Sequence, residues 1–295
     1  MISAGRAGEL GASVILVEKN KDLGRKLLIT GKGRCNITNK ENNPREFINE
    51  FGKNGEFLFS AFSRFGVEET ISFFEKLNVK TKTERGGRVF PVSDKSQDVL
   101  EALIGYLKKS NVKIKLNSGV KEIIKKDNKI EKIILVNNEE ITADKFIIST
   151  GGKSYPRTGS TGDGYRWAKK LGHTVMNLSP SLVPIIVKEK IIKELEGLSL
   201  KNTEISVYKE NKKIDSRFGE AIFTADGMSG PIIIDMSKKI GKELPGNIKI
   251  KIDFKPALDF LKLDQRVQDD FRKDSKKMFK NSLNDLLPQK LIPVI

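Results

Sequence analysis

Five glycines fall between residues 151 and 164 of the stretch KFIISTGGKSYPRTGSTGDGYRWAKKLG, which runs from Lys145 to Gly172. A backbone without a Cβ turns tightly and can lie against a bound group that a side chain would push away. Phe146, Ile147 and Ile148 precede them, an unbroken apolar run that predicts a strand buried on both faces and ending at Thr150. The carboxyl end of such a strand is where open α/β sheets bind ligands, and a glycine turn feeding a helix offers N–H groups to a phosphate. The helix is predicted with Ser160, Thr161 and Asp163 as candidate caps, Trp167 and Leu171 on one face and Gly172 at C′. A plain strand-turn-helix joint is the other reading of the same residues.

A second chemical stretch is KDLGRKLLITGKGRCNITN, residues 21 to 39. Gly31 and Gly33 permit close backbone approach, while Lys26, Lys32 and Arg34 are candidates to neutralise a diphosphate, Arg through its planar fork of donors. Asn36, Thr38 and Asn39 add neutral hydrogen-bonding groups. Structureless loops of this length are uncommon unless they bind something or are disordered. Cys35, Tyr155, Asp163 and His173 are the titratable groups in or beside the two stretches, and Cys35 ranks first as a proton donor. The competing reading makes Cys35 a small buried packing residue, and His173 a capping residue just past a helix C-terminus.

The elements that must position these groups begin with a helix over residues 2 to 10 and a strand from Ser13 to Val17, closed by Glu18. An acidic residue at the end of the second strand of a dinucleotide-binding βαβ unit accepts hydrogen bonds from ribose hydroxyls, about 20 residues after the glycine fingerprint. Glu18 suits that role, yet no such fingerprint lies ahead of it. Gly5, Gly8 and Gly11 follow no strand and read as packing and C-cap glycines. A chain truncated at its N-terminus is the expectation.

At 295 residues two domains are expected, and a core is easily buried. No apolar run reaches the roughly 20 residues of a membrane helix, and the first 20 residues lack a signal-peptide pattern, so cytoplasmic residence is expected. The single Cys and single His exclude an internal disulfide, a CxxC redox pair and a Cys/His zinc site. A net charge of +16 makes RNA a candidate partner, although lysines scattered along amphipathic elements such as KEIIKKDNKIEK give the same count.

Between the two stretches, Phe57, Phe59, Phe62, Phe65, Phe73 and Phe74 fall in helical segments and read as core rather than as an RNA-stacking stripe, since Arg64 is the one Arg or Tyr among them. Gly86 to Pro91 is a turn into an extended piece, then a helix Gln97 to Lys109 is capped by Ser96. Strands near 112–116, 120–125 and 130–136 are expected to form an antiparallel arm, with turns at 126–128 and 137–138. Beyond Pro184, strands (197–208, 212–223, 247–253) give way to a polar helical stretch, Leu258 to Leu287, with Pro231 opening a helix. The expected domains are 1–185 and 186–295.

EKNKDLGRKLLITGKGRCNITN, GGRVFPVSDKSQDVL, STGGKSYPRTGSTGDGYRWAKKLGHTV, PSLVPI and FTADGMSGP resemble, in order, the signature blocks of the BaiN/RdsA family of NAD(P)/FAD-dependent oxidoreductases, the aminoacetone-oxidase-like flavoproteins. The resemblance covers essentially the whole chain. It implies an α/β, Rossmann-like FAD-binding domain of glutathione-reductase type, incomplete here, with a mixed β and helical insert that chooses the substrate (α+β overall). Family members also carry a glycine-rich strand-turn that would precede Met1 and a FAD-contacting segment that would follow Ile295. A His commonly follows the Thr matched by Thr224, where this chain has Ala225.

The resemblance places Glu18 at the adenosine ribose, Thr150, Gly151 and Gly152 against the cofactor and the 30–39 loop near the flavin. The expected cofactor set is therefore Glu18, Lys19, Lys26, Thr30, Gly31, Gly33, Arg34, Cys35, Asn36, Thr150, Gly151, Gly152, Gly162 and Asp163. Cys35 and Tyr155 are the catalytic candidates, and no metal is expected. The implied reaction reduces an unsaturated substrate with NAD(P)H through FAD, on uridine in ribosomal RNA or on a small metabolite or amine. A truncated fragment that binds no cofactor, and at most nucleic acid, is the third expectation.

Overall fold

The computed structural model describes residues 1–295 apart from Asn42, Lys277 and Ile295, with Lys53 and Lys280 described by their backbone alone. The chain folds as two compact units, Met1–Val175 and Met176–Ile295.

The first unit opens with α1 (Ile2–Glu9), then β1 (Ile15–Val17), α2 (Arg25–Ile29), β2 (Thr38–Asn39), α3 (Pro44–Asn49), α4 (Phe59–Phe62) and α5 (Val67–Lys76). It continues with β3 (Thr81–Thr83), β4 (Arg88–Pro91), α6 (Ser96–Lys109), β5 (Lys113–Lys115), β6 (Val120–Lys126), β7 (Lys129–Leu135), β8 (Glu140–Thr142) and α7 (Asp163–Lys170). The early glycines are packing and cap residues. A Cβ on Gly5 would stand 2.3 Å from the Tyr106 ring and one on Gly8 2.2 Å from the Ser110 carbonyl, so only glycines let α1 lie directly on α6. At the end of α1 the N–H groups of Gly11 and Ala12 close back on Gly8 and Ala7, a Schellman stop. Leu23, Leu100, Leu107 and Val112 form the buried cluster beneath, with Leu16 of β1 and Ile114 of β5 packed on it.

Four expectations are corrected. Lys145–Thr150 makes no ladder, and Ile147 and Ile148 are 67% and 41% exposed. A strand exists only where neighbours take its N–H and C=O groups, and β1 pairs, in parallel, with β5 alone. The expected arm strand near 112–116 is therefore a Rossmann-type parallel partner, and the antiparallel arm is instead β6-β7-β8. Its turns fall where expected, with Asp127, Asn128 and Asn138 at positive φ. Ser96 is the first residue of α6 rather than its cap, because its buried hydroxyl donates to the Leu28 carbonyl at 2.9 Å. Of the phenylalanines, Phe74 is core and Phe73 packs on it, whereas Phe57 is 88% exposed, so burial does not extend along the whole stretch.

The second unit holds β9 (Ile185–Ile186), β10 (Ser199–Lys209), β11 (Lys212–Thr224), β12 (Gly227–Ser229), α8 (Pro231–Glu243), β13 (Ile248–Asp253), α9 (Phe260–Lys273) and α10 (Phe279–Ser282). The sheet order is β13-β10-β11-β12-β9, antiparallel throughout. Side chains alternate across β10. Ile205 and Val207 pack against Ile233 and Met236 of α8, leaving Glu204, Ser206 and Tyr208 on the other face. Pro231 occupies the first turn of α8, as its missing N–H allows. Among the described residues no helix is long and apolar enough to cross a membrane.

Candidate functional site

The fold of the first unit brings the two glycine-rich stretches together at the end of β1. Glu18 closes the strand, its N–H bonded to the Lys115 carbonyl. One of its carboxylate oxygens accepts from the Asn20 N–H (2.8 Å) and the Asn20 amide (2.7 Å). Asn20 then reaches the Thr158 carbonyl at 3.3 Å. Lys19 joins the same turn, its Nζ donating to Thr161 Oγ1 at 2.7 Å and Asp163 Oδ2 at 2.8 Å. Lys26 of α2 donates to the Ser154 carbonyl at 2.6 Å. Residues more than 120 apart in sequence are thus held as one site. In the sequence Thr161 reads as a helix cap rather than a site residue, and Asn20 and Ser154 carry no signal beyond their place near Glu18 and Tyr155.

The turn itself is poised for an anion. Gly151, Gly159 and Gly162 have positive φ, and among the described residues nothing accepts from the N–H groups of Gly151, Gly152 and Lys153. Gly162 precedes α7 and supplies no side-chain cap, so the first-turn N–H groups stay available. Asp163 is therefore the first helical residue rather than the cap. Hydrogen bonding from Lys19 holds its carboxyl below the ordinary aspartate range, Thr161 adding to the effect. The helix ends in a second Schellman motif, Gly172 and His173 bonding back to Lys169 and Ala168, so His173 serves through its backbone. Trp167 is buried, with an indole N–H that finds no partner among the described residues.

The 30–36 loop is built with unusual backbone. Gly31, Lys32, Gly33 and Cys35 all have positive φ, which in non-glycine residues marks strain of a kind concentrated at functional sites. A Cβ on Gly31 would lie 2.9 Å from both the Asn36 nitrogen and the Phe90 ring. Thr30, the C-cap of α2, accepts through its carbonyl from Gly33 and Cys35. The Asn36 amide, its NH2 turned inward, donates to the Val89 and Thr38 carbonyls.

Arg34 is not free for a phosphate. Its guanidinium lies 4.0 Å over the Phe90 ring and pairs with Glu84 (2.8 Å) and Asp94 (3.4 Å), and so pins the loop to β4. Cys35 turns its side chain into the cluster of Phe74, Val79, Val99 and Leu103, where burial pushes the thiol above its usual range. Tyr155 is the opposite case. It holds a left-handed conformation while Thr158 donates to its carbonyl through both N–H and hydroxyl, and its side chain is exposed. Of the cations in and beside the two stretches, Lys19, Arg25, Lys26, Arg34, Arg166 and Lys170 are engaged by the protein. Lys32, Lys153 and Arg157 are exposed, with no ion-pair partner among the described residues.

These residues fit a dinucleotide cofactor. The open N–H groups and adjacent lysines suit a diphosphate, and the Glu18 carboxylate keeps one oxygen for a hydroxyl. Among the described residues no cluster of His, Cys, Asp or Glu could hold a metal ion.

Residues 1–245 match the model of the HI0933-like protein Rossmann domain. The chain is 30% identical over 284 residues to the 3-dehydro-bile acid delta(4,6)-reductase of Clostridium scindens, covering 96% of this chain and 68% of that protein. It is 29% identical over 304 residues to the ribosomal RNA dihydrouridine synthase of Haemophilus influenzae, covering 99% and 72%. Against a flavocytochrome c3 fumarate reductase in its open conformation the TM-score is 0.47 at 19% identity, over 68% of this chain and 44% of that one. The chain belongs to the HI0933-like (BaiN/RdsA) family of flavin-dependent oxidoreductases, whose Rossmann-like domain binds FAD.

Proposed function

We propose that this protein is a flavin-dependent reductase that uses NAD(P)H to saturate an activated C=C bond, with uridine in ribosomal RNA as the substrate. The observation that carries the reading is the convergence of Glu18, Lys19 and Lys26 on the 150–163 turn, with its N–H groups open. Glu18 holds the ribose, the N–H groups of Gly151, Gly152 and the α7 terminus hold the diphosphate, and the 30–36 loop carries the flavin end. FAD, when bound, supplies two-electron transfer between the nicotinamide and the substrate. Saturating a C=C bond also consumes a proton, and Tyr155 is the donor in this reading. Its side chain is exposed beside the turn, whereas the Cys35 thiol is buried against Phe74, Val79, Val99 and Leu103. Lys32, Lys153 and Arg157 supply unpaired positive charge for an RNA backbone, and a relative named for dihydrouridine synthesis supports that substrate.

The test is a titration with FAD, followed by quenching of Trp167, the only tryptophan and part of the helix behind the turn. NADPH is then added anaerobically with unmodified ribosomal RNA, and nucleosides are weighed for a gain of two hydrogens. Absence of saturable quenching sinks the cofactor reading. Flavin reduction without dihydrouridine leaves the reductase and removes the RNA.

A further inference from the structure

We infer that the second unit carries its own binding groove for an amphipathic organic anion, a small molecule with an apolar body and one acidic group. The groove lies between the sheet face turned away from α8 and the chain from α9 onward, and encloses about 650 Å³. That is within the range of small-molecule sites, roughly 300–1,000 Å³. One wall is apolar: Leu263 and Val267, one turn apart on α9, with Leu283, Leu286 and Leu287. The facing floor is polar and already ordered. Ser216 donates to Glu204 at 2.5 Å and shares a 2.7 Å hydrogen bond with buried Ser206, so neighbouring strands present a fixed hydroxyl pair. Tyr208 lies beneath the Lys251 ammonium, 4.7 Å from the ring centre.

Charge decides the occupant. Lys213, Lys251 and Lys255 line the groove without an ion-pair partner among the described residues. Of the two carboxylates, Glu204 is taken up by Ser216 and Asp253 accepts from the Lys255 N–H. With three lysines against two hydrogen-bonded carboxylates the polar side keeps a net positive charge next to an apolar wall, which suits an acid with a hydrophobic body rather than a neutral lipid or a cation. A peptide or a second copy of this chain would instead cover exposed apolar groups outside the groove, such as Phe260 and Leu261. The inference rests on the second unit alone and stands or falls independently of flavin binding.

The probe is 8-anilinonaphthalene-1-sulfonate, an aromatic sulfonate that fluoresces in apolar surroundings, titrated into the intact 295-residue protein, with decanoate as competitor. One saturable site, displaced by decanoate, is expected. Val267→Trp, which fills the groove, and the surface double variant Lys213→Glu/Lys251→Glu should each weaken binding at least tenfold with the near-UV dichroism kept. Phe57→Asp, on the exposed aromatic segment of the first unit, should leave it unchanged. Absence of saturable binding, binding indifferent to the Lys double variant, or binding lost in Phe57→Asp instead would each overturn the inference.

Discussion

Replacing Lys19 with Met removes the cation that ties the end of β1 to the start of α7. Its two hydrogen bonds, to Thr161 and Asp163, would be worth roughly 1.5–3 kcal/mol each if fully shielded. The side chains are 34% and 19% exposed, and solvent screening reduces the loss to about 1–2 kcal/mol. For a unit of this size that lowers the melting temperature by roughly 2–4 °C per kcal/mol.

The pH dependence gives the prediction its sign. Lys19 is the main cause that depresses the folded carboxyl of Asp163. The stabilisation is therefore complete above the unfolded value of about 3.9 and is lost as pH falls through the depressed folded value. Thermal melts of both proteins should differ fully at pH 7 and converge below about pH 4. In a cycle with Asp163→Asn, the coupling should be about 1 kcal/mol, and FAD affinity should fall with it. A melting difference that persists undiminished in acid, or that never appears at neutral pH, refutes the idea that this ion pair holds the two stretches together.

Arg34→Lys keeps the charge but loses the planar stack on Phe90, so it should resemble Arg34→Met in faster reaction of Cys35 with a thiol reagent and weaker FAD binding. In the native protein Cys35 should react slowly at pH 8 and faster as pH rises, because burial raises its pKa; rapid reaction at neutral pH would contradict the packing described. Gly8→Ala should destabilise by about 1–3 kcal/mol in urea melts despite the better helix propensity of Ala, since the clash is with backbone that cannot rotate away. Tyr155→Phe should bind FAD normally yet lose at least tenfold in kcat, and an unchanged kcat would remove it as donor. Exchanging Lys32, Lys153 and Arg157 for Glu should flatten the salt dependence of RNA binding by roughly 0.7–0.9 per cation.

Much of this protein was legible without coordinates. Gly5, Gly8 and Gly11 read as packing and cap residues because a glycine inside a helical segment has few other uses. The turns at 126–128 and 137–138, the Pro231 helix start and the long strands of the second unit follow from local backbone preference. The signature blocks likewise carried the family. Local pattern failed wherever a partner distant in sequence decided the outcome. An apolar run at 146–148 cannot report whether strands lie beside it, and residues 112–116 cannot report that their partner is Ile15–Val17.

Composition and spacing gave both glycine-rich stretches the left-handed turns and dense cations of a binding loop, because those are properties of the chain itself. Tertiary structure alone decided which cations remain for a ligand. Arg34 is consumed by Glu84, Asp94 and Phe90, and Lys19 by Asp163, through contacts that span 50 to 144 positions. Lys32 and Arg157 carry the same charge and stay exposed. Sequence states how much charge a loop carries, but the ion pairs that neutralise it form only once distant segments are brought together.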